Sequence, residues 1–408
     1  MKYAILLGDG MADLPIDELD GKTPLEYART PNMDKMAADG TIGFVDTIPK
    51  NFTPGSDVAN LSVLGYDPNL YYTGRGPLEA ASMGVRLGTT DVAFRCNLVN
   101  LGTDYNVMES FNADHISSEE ADILISALNK AISSESVAFY PGVGYRHLMV
   151  WAGGSVLIDT TPPHDIVGQE IVKHLPKGVG SEVVRRLMEQ SRDVLRDHEI
   201  NRSRAGSGKK TANSIWLWGQ GRAPDIDPMT KKYNIKGGMI SAVDLLKGIG
   251  IYAGLRIITV QGATGYTDTN YEGKAQKALE FLQDNDFVFI HVEAPDEMGH
   301  EGNIKGKIKA IEDFDRKVVG TILDGMTAFE DYRMLVLSDH PTPIIVKTHT
   351  SDPSPFAVYS SNRAENMAQG RLFHEKAAQE SGIAISPGYI LMDKFIINWA
   401  QFIEMQRI

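Results

Sequence analysis

A single cysteine in 408 residues excludes an internal disulfide framework. Cys96 reads as a small residue in a strand and fits a reducing compartment. Long apolar runs are missing too. No segment approaches the roughly 18 consecutive apolar residues of a membrane-spanning helix, so no membrane partner is expected. Nor is there a basic excess: 53 acidic residues against 40 basic ones give a net charge of −13. That balance argues against nucleic acid and anionic membranes, because phosphate backbones bind basic surfaces. A small anionic substrate stays open, since a few buried arginines or bound cations can hold one. The run Tyr3–Leu7 is too short for the apolar core of a secretory signal, and polar Gly-Asp-Gly-Met-Ala-Asp follows at once. A cytoplasmic protein is expected. Internal repeats and low-complexity stretches are absent, and the oligomeric state is left open.

What is present points to a two-domain enzyme. The chain exceeds what one core usually supports, and 42% hydrophobic with 23% charged residues is ordinary for a globular fold. Three apolar β-type runs each end on metal-binding residue types. Tyr3–Leu7 leads into Asp9, Phe287–His291 into Asp296 and His300, and Met334–Leu337 into Asp339-His340, with His349 close behind. In open α/β sheets, ligands bind beyond the carboxyl ends of strands. Strands that deliver carboxylates and imidazoles to that edge can build a divalent-metal site from residues far apart in sequence.

The first 85 or so residues read as β, α, β, α, with helices starting near Pro31 and at Pro54-Gly55-Ser56-Asp57. The alternation resumes near residue 240. A helix is expected over Ile240–Ile249, a strand over Arg256–Val260 and a helix over Gly273–Gln283. A long helix through Ile308, Ile311, Phe314, Val318 and Ile322 precedes the last strand. The middle differs: strands Ala93–Leu98, Val137–Tyr140, Leu148–Trp151 and Ser214–Trp218 mix with helices Ser118–Ala131 and Glu182–Asp197. Arg202–Lys210 reads as an exposed, mobile loop. The expectation is an α/β fold with a doubly wound, mostly parallel sheet over 1–88 and 235–408, carrying an inserted α+β domain over 89–234.

Asp296 and His300 stand four apart, on one face if the segment is helical. An isolated Asp-x-x-x-His is most often a solvated loop. Here four of the ten histidines, His291, His300, His340 and His349, fall close together near strand ends. Asp9 lies between glycines that permit close backbone approach. Ser56 has two readings, an N-cap or a nucleophile activated at a helix N-terminus that also cradles a phosphoryl group. Asn60, one turn on, can donate to a phosphate oxygen. Asp57 is a first-turn acid, and Lys274 has two readings, a helix-start surface lysine, which is favoured, or a group that reaches the phosphate.

Asp9-Gly10, Gly55-Ser56-Asp57-Val58-Ala59-Asn60, Ala294-Pro295-Asp296 with Gly299-His300, Ser338-Asp339-His340 and His349 occur in this order. The set resembles the alkaline phosphatase superfamily, and within it the cofactor-independent phosphoglycerate mutases of the shorter, archaeal type. The resemblance implies two divalent metals, manganese, zinc or magnesium. Asp9, Ser56, Asp339 and His340 would hold one; Asp296, His300 and His349 would hold the other. It also implies a small phosphorylated substrate, with phosphate passing from 3-phosphoglycerate through Ser56 to the 2-hydroxyl. The serine motif departs from the longer bacterial mutases, which read Asn-Ser-Glu. An alternative is a related phosphotransferase or phosphohydrolase, a homoserine kinase among them. In the inserted domain, Arg146, His164, Asp165, Asn201 and Arg202 are the expected grips on the substrate, with Arg95 a weaker one.

Overall fold

The computed structural model describes residues 1–407. They divide into two compact units, Met1–Tyr72 with Ile226–Ile408, and Thr73–Asp225. The first unit is built on an eight-stranded sheet. Its strands run in the order Arg256–Ile257, Gly237–Ile240, Phe287–Val292, Lys2–Gly8, Tyr332–Leu337, Ser354–Ser360, Thr41–Val45 and Ala384–Ile385. Only Ser354–Ser360 runs antiparallel to its neighbours.

Strands covered on both faces read as continuous apolar runs, and Phe287–Val292 and Tyr332–Leu337 are buried at every position. Side chains alternate between faces. Ala4 and Leu6 pack with Val288, Ile290, Met334 and Val336 under helices that contribute Met33, Ala275, Ala278, Ile311 and Phe314. Tyr3 meets the Phe395 ring at 5.6 Å. Leu7 is in register with both His291 and Leu337. The carboxyl ends of three central strands therefore finish side by side.

The long helix is interrupted. Ile304–Phe314 and Gly320–Met326 are joined by a π turn, Asp315–Val319. Buried Asp315 accepts hydrogen bonds from the Met33 amide at 2.7 Å and the Asn32 side chain at 2.9 Å. It caps the helix Pro31–Asp39, for which Thr30 supplies no side-chain cap.

Three expectations are corrected here. Ile240 ends a strand, Gly237–Ile240, and the helix begins only at Asp244. A Cβ at Gly237 or Gly238 would collide with the Phe287 or Phe281 ring, so glycines that look like breakers are what let this strand pack. The strand expected over Arg256–Val260 pairs only at Arg256–Ile257. The unit boundaries fall earlier than 88 and 234. The helix Arg75–Ser82 belongs with the second unit, where Ala80 packs against Ala93, Leu148 and Val150.

In the second unit, Val92–Leu101 is buried throughout and pairs antiparallel with Arg146–Trp151 and Ser214–Gly221. Helices Ser118–Ile132 and Ser181–Leu195 supply Leu124, Leu128, Val184 and Met188 to its core. The segment expected as a mobile loop is helical over Glu199–Gly206. Arg204 is buried there, bonded to Glu120 at 2.5 Å and to the carbonyls of Ala113 and Lys210. Among the described residues no helix is long and apolar enough to cross a membrane.

Candidate active site

The aligned strand ends place the sequence candidates of the first unit together. Asp9 follows the strand Lys2–Gly8, and its amide donates to the Val292 carbonyl at 2.9 Å. Gly10 has φ +57°, and its amide donates to Asp339 Oδ1 at 3.1 Å. The helix Ser56–Val63 has Gly55 as its N-cap residue, so the serine is the first helical residue and does not cap. Its Oγ lies 3.0 Å from His340 Nε2 and 3.5 Å from each Asp9 oxygen. Asp57 is bound elsewhere, by the Tyr72 hydroxyl at 2.7 Å.

Two Asp/His sets result. In one, the ligand atoms of Asp9, Asp339 and His340 lie within 4.8 Å of one another; in the other, those of Asp296, His300 and His349 do. His340 Nε2 is 3.4 Å from Asp9 Oδ1 and 3.6 Å from Asp339 Oδ2. The helix Ala294–Glu301 puts Asp296 and His300 on one face, with His300 Nε2 3.2 Å from Asp296 Oδ2. His349 Nε2 is 3.4 Å from the other Asp296 oxygen. The His340 and His349 rings are 4.2 Å apart, so the sets adjoin.

The electrostatics call for positive charge. Burial, reinforced by Asp339, Asp296 and Glu293, pushes the Asp9 carboxyl well above the usual carboxylate range. Burial raises Asp296 as well, but bonds from His300 and His349 and the nearby His340 outweigh it and hold that carboxyl far down. The bond to Asp296 pushes His300 up to about 9. Burial lowers His291 and His340. Buried Asn60 Oδ1 has no hydrogen-bond partner. Carboxylates crowded with imidazole nitrogens, beside an orphaned oxygen, form a donor set that fits divalent cations.

Neighbouring groups hold these side chains in place. His291, fully buried, meets Asp9 Oδ2 with its Nε2 at 2.8 Å. Lys274 is not at the surface: it is buried, its Nζ donates to the His291 carbonyl at 2.9 Å, and burial lowers its pKa to about 8. Asn60 differs from expectation for a related reason. Its amide donates to Asp339 Oδ2 and to the Ser56 carbonyl, both at 2.8 Å, which leaves no spare N–H for a phosphate. Lys307 is buried too, 2.7 Å from Asp13 Oδ2. Sequence reading passed over Lys307 and gave His291 no task, because a lysine at helical spacing or a histidine in a strand carries no local signal.

In the second unit the expected grips separate into two groups. Arg146 stacks on Tyr145 at 4.5 Å, and His164 stands edge-on to Trp218 at 5.4 Å. Arg95 lies over the Trp218 ring at 4.3 Å and is paired to Glu79 at 2.9 Å. Arg75, absent from the sequence candidates, is 5.9 Å from the same ring. Burial lowers the His164 pKa; Asp165 opposes this, while Arg75, Arg95 and Arg146 add to it. Positive charge is thus concentrated around Trp218. Asn201 and Arg202 are not part of this cluster. Buried Asn201 spends its side chain on the backbone of Leu195 and Ala212, and Arg202 donates to the Asp197 carbonyl at 2.7 Å.

Comparison with known proteins decides the family. Residues 37–201 match the family described as 2,3-bisphosphoglycerate-independent phosphoglycerate mutase. A Geobacter sulfurreducens protein named as a probable member is 54% identical over 398 residues, 97% of this chain and 100% of its own. A Methanosarcina mazei protein of the same name is 57% identical over 368 residues, covering 90% and 92% of the two chains.

The chain belongs to the 2,3-bisphosphoglycerate-independent phosphoglycerate mutase family. Solved structures agree with that membership in the mutase family. The cofactor-independent phosphoglycerate mutase of Thermoplasma acidophilum superposes with a TM-score of 0.66 at 26% identity, over 98% of this chain and 100% of that one. A Pyrococcus horikoshii protein gives 0.83 at 32% identity, over 98% and 97%.

Proposed function

We propose that this protein interconverts 3-phosphoglycerate and 2-phosphoglycerate without a bisphosphoglycerate cofactor, using Ser56 as transient phosphate acceptor. The observation that carries this reading is Ser56 Oγ at a helix N-terminus, 3.0 Å from His340 Nε2 within a paired Asp/His centre. The named relatives, similar along nearly the full chain, support it.

Ser56 Oγ attacks phosphorus, the bond to the 3-oxygen breaks, and the serine proton passes to that oxygen. The 2-hydroxyl oxygen then attacks the phosphoserine, the bond to Oγ breaks, and the 2-hydroxyl proton returns to Oγ. Asp9, Ser56, Asp339 and His340 would hold one divalent cation; Asp296, His300 and His349 would hold a second, manganese, zinc or magnesium. Bound cations would supply positive charge beside the phosphoryl oxygens and the serine hydroxyl. Arg75, Arg95, Arg146 and His164 offer donors to the substrate's anionic groups, Arg in the forked geometry that suits carboxylate and phosphate. Asp165, with an oxygen 3.5 Å from His164 Nε2, orients that ring.

The test is conversion of 3-phosphoglycerate by chelated protein after metal is restored, with no bisphosphoglycerate added. Appearance of the 2-phosphate is expected. Release of free phosphate in its place, or a requirement for ATP and homoserine, would replace this reading.

A further inference from the structure

Thr342 joins the two Asp/His sets through one hydroxyl. It is fully buried, with Oγ1 2.5 Å from Asp296 Oδ1 and 3.3 Å from His340 Nδ1. A hydroxyl has one proton to give, and a carboxylate only accepts. The proton therefore goes to Asp296, and the second bond must be donated by the His340 Nδ1–H. That fixes the His340 tautomer and leaves the lone pair on Nε2, the atom facing Ser56, Asp9 and Asp339. The same hydroxyl pins the Asp296 oxygen that lies 3.4 Å from His349 Nε2.

The surroundings leave Thr342 little freedom. Its amide donates to the Ala12 carbonyl at 3.2 Å, and its carbonyl accepts from Lys307 Nζ at 2.9 Å. A Cβ at Gly10 would run into Thr342 Oγ1, and one at Gly299 into its carbonyl and methyl. Two glycines on separate segments thus make room for this one side chain.

We propose that Thr342 is a positioning residue that couples the two sets, holding one ligand of each in its cation-binding orientation. This inference rests on the reading that the sets bind divalent cations. Partners of metal-binding imidazoles and carboxylates commonly contribute that way.

The test is titration of chelated protein with Co2+, followed by calorimetry and by the visible absorption of bound Co2+. The unmodified protein is expected to take up two equivalents. Thr342→Val keeps the shape and removes the hydroxyl, so affinity at both sites should fall about 10- to 100-fold, with an altered Co2+ spectrum. Thr342→Ser keeps the hydroxyl and should stay within about threefold of the unmodified protein. Melting of the metal-free variants reports on the fold, and Thr342→Ala stands in for the valine variant if that one does not fold. Unchanged affinity and spectrum in Thr342→Val, weakening at one site only, or equal weakening in Thr342→Ser would each overturn the coupling while leaving the proposed activity in place. No Co2+ uptake by the unmodified protein would overturn both.

Discussion

The Nε2 atoms of His300 and His349 stand 2.9 Å apart, each also within reach of an Asp296 oxygen. Two lone pairs cannot face each other at that distance without a proton or a cation between them. If a cation takes that place, as proposed, chelation should abolish mutase activity and divalent metal should restore it. Metal analysis after dialysis, set beside activity, checks this. Full activity in metal-free protein would dissolve the proposed centre.

Ser56→Ala should lower 3-phosphoglycerate turnover roughly 10^4-fold or more, as loss of a nucleophile does elsewhere. Melting temperature should change little, because Ser56 does not cap its helix. Substantial residual turnover would move the phosphate acceptor to another residue.

Arg146 is exposed and stacked on Tyr145, so Arg146→Ala should leave the fold intact. Losing a charge-assisted bond of about 1.5–3 kcal/mol should raise KM for 3-phosphoglycerate on the order of 10- to 100-fold. Steady-state kinetics on refolding-competent variant protein would decide it. An unchanged KM takes Arg146 out of the anion-binding cluster.

Glu375 accepts hydrogen bonds from the Asp13 amide at 2.9 Å and the Thr23 hydroxyl at 2.6 Å, yet burial pushes its pKa up to about 7. A carboxyl raised above its unfolded value binds its proton more tightly when folded. Its stabilising contribution is complete below the unfolded pKa and is lost as pH rises through about 7. Melting temperatures of metal-free protein should fall across that window, and Glu375→Gln should flatten the slope. Parallel curves for the two proteins would assign the pH dependence to other groups.

Legibility differed by element. Parallel strands buried on both faces leave apolar runs, so Phe287–Val292 and Tyr332–Leu337 could be read almost residue by residue. Asp9, Asp296 and Asp339 were readable because they follow such runs directly. The strand Gly237–Ile240 was not, since its glycines answer to the Phe281 and Phe287 rings, a tertiary demand with no local trace. Arg204 looked like part of a solvated basic stretch because its acidic partner, Glu120, lies 84 residues away. Thr342 and His291 were invisible as positioning groups for the same reason: each acts through a side chain from another segment.

The order of the segments along the polypeptide has a biosynthetic consequence. Asp9 and Ser56 are made long before His349, and the strand Ser354–Ser360 later still. A growing chain on the ribosome therefore owns no finished cation trap before His349 has been made. Loading of the proposed cations would follow synthesis of these segments rather than guide it, and a chain cut short before residue 332 should bind neither tightly in equilibrium dialysis.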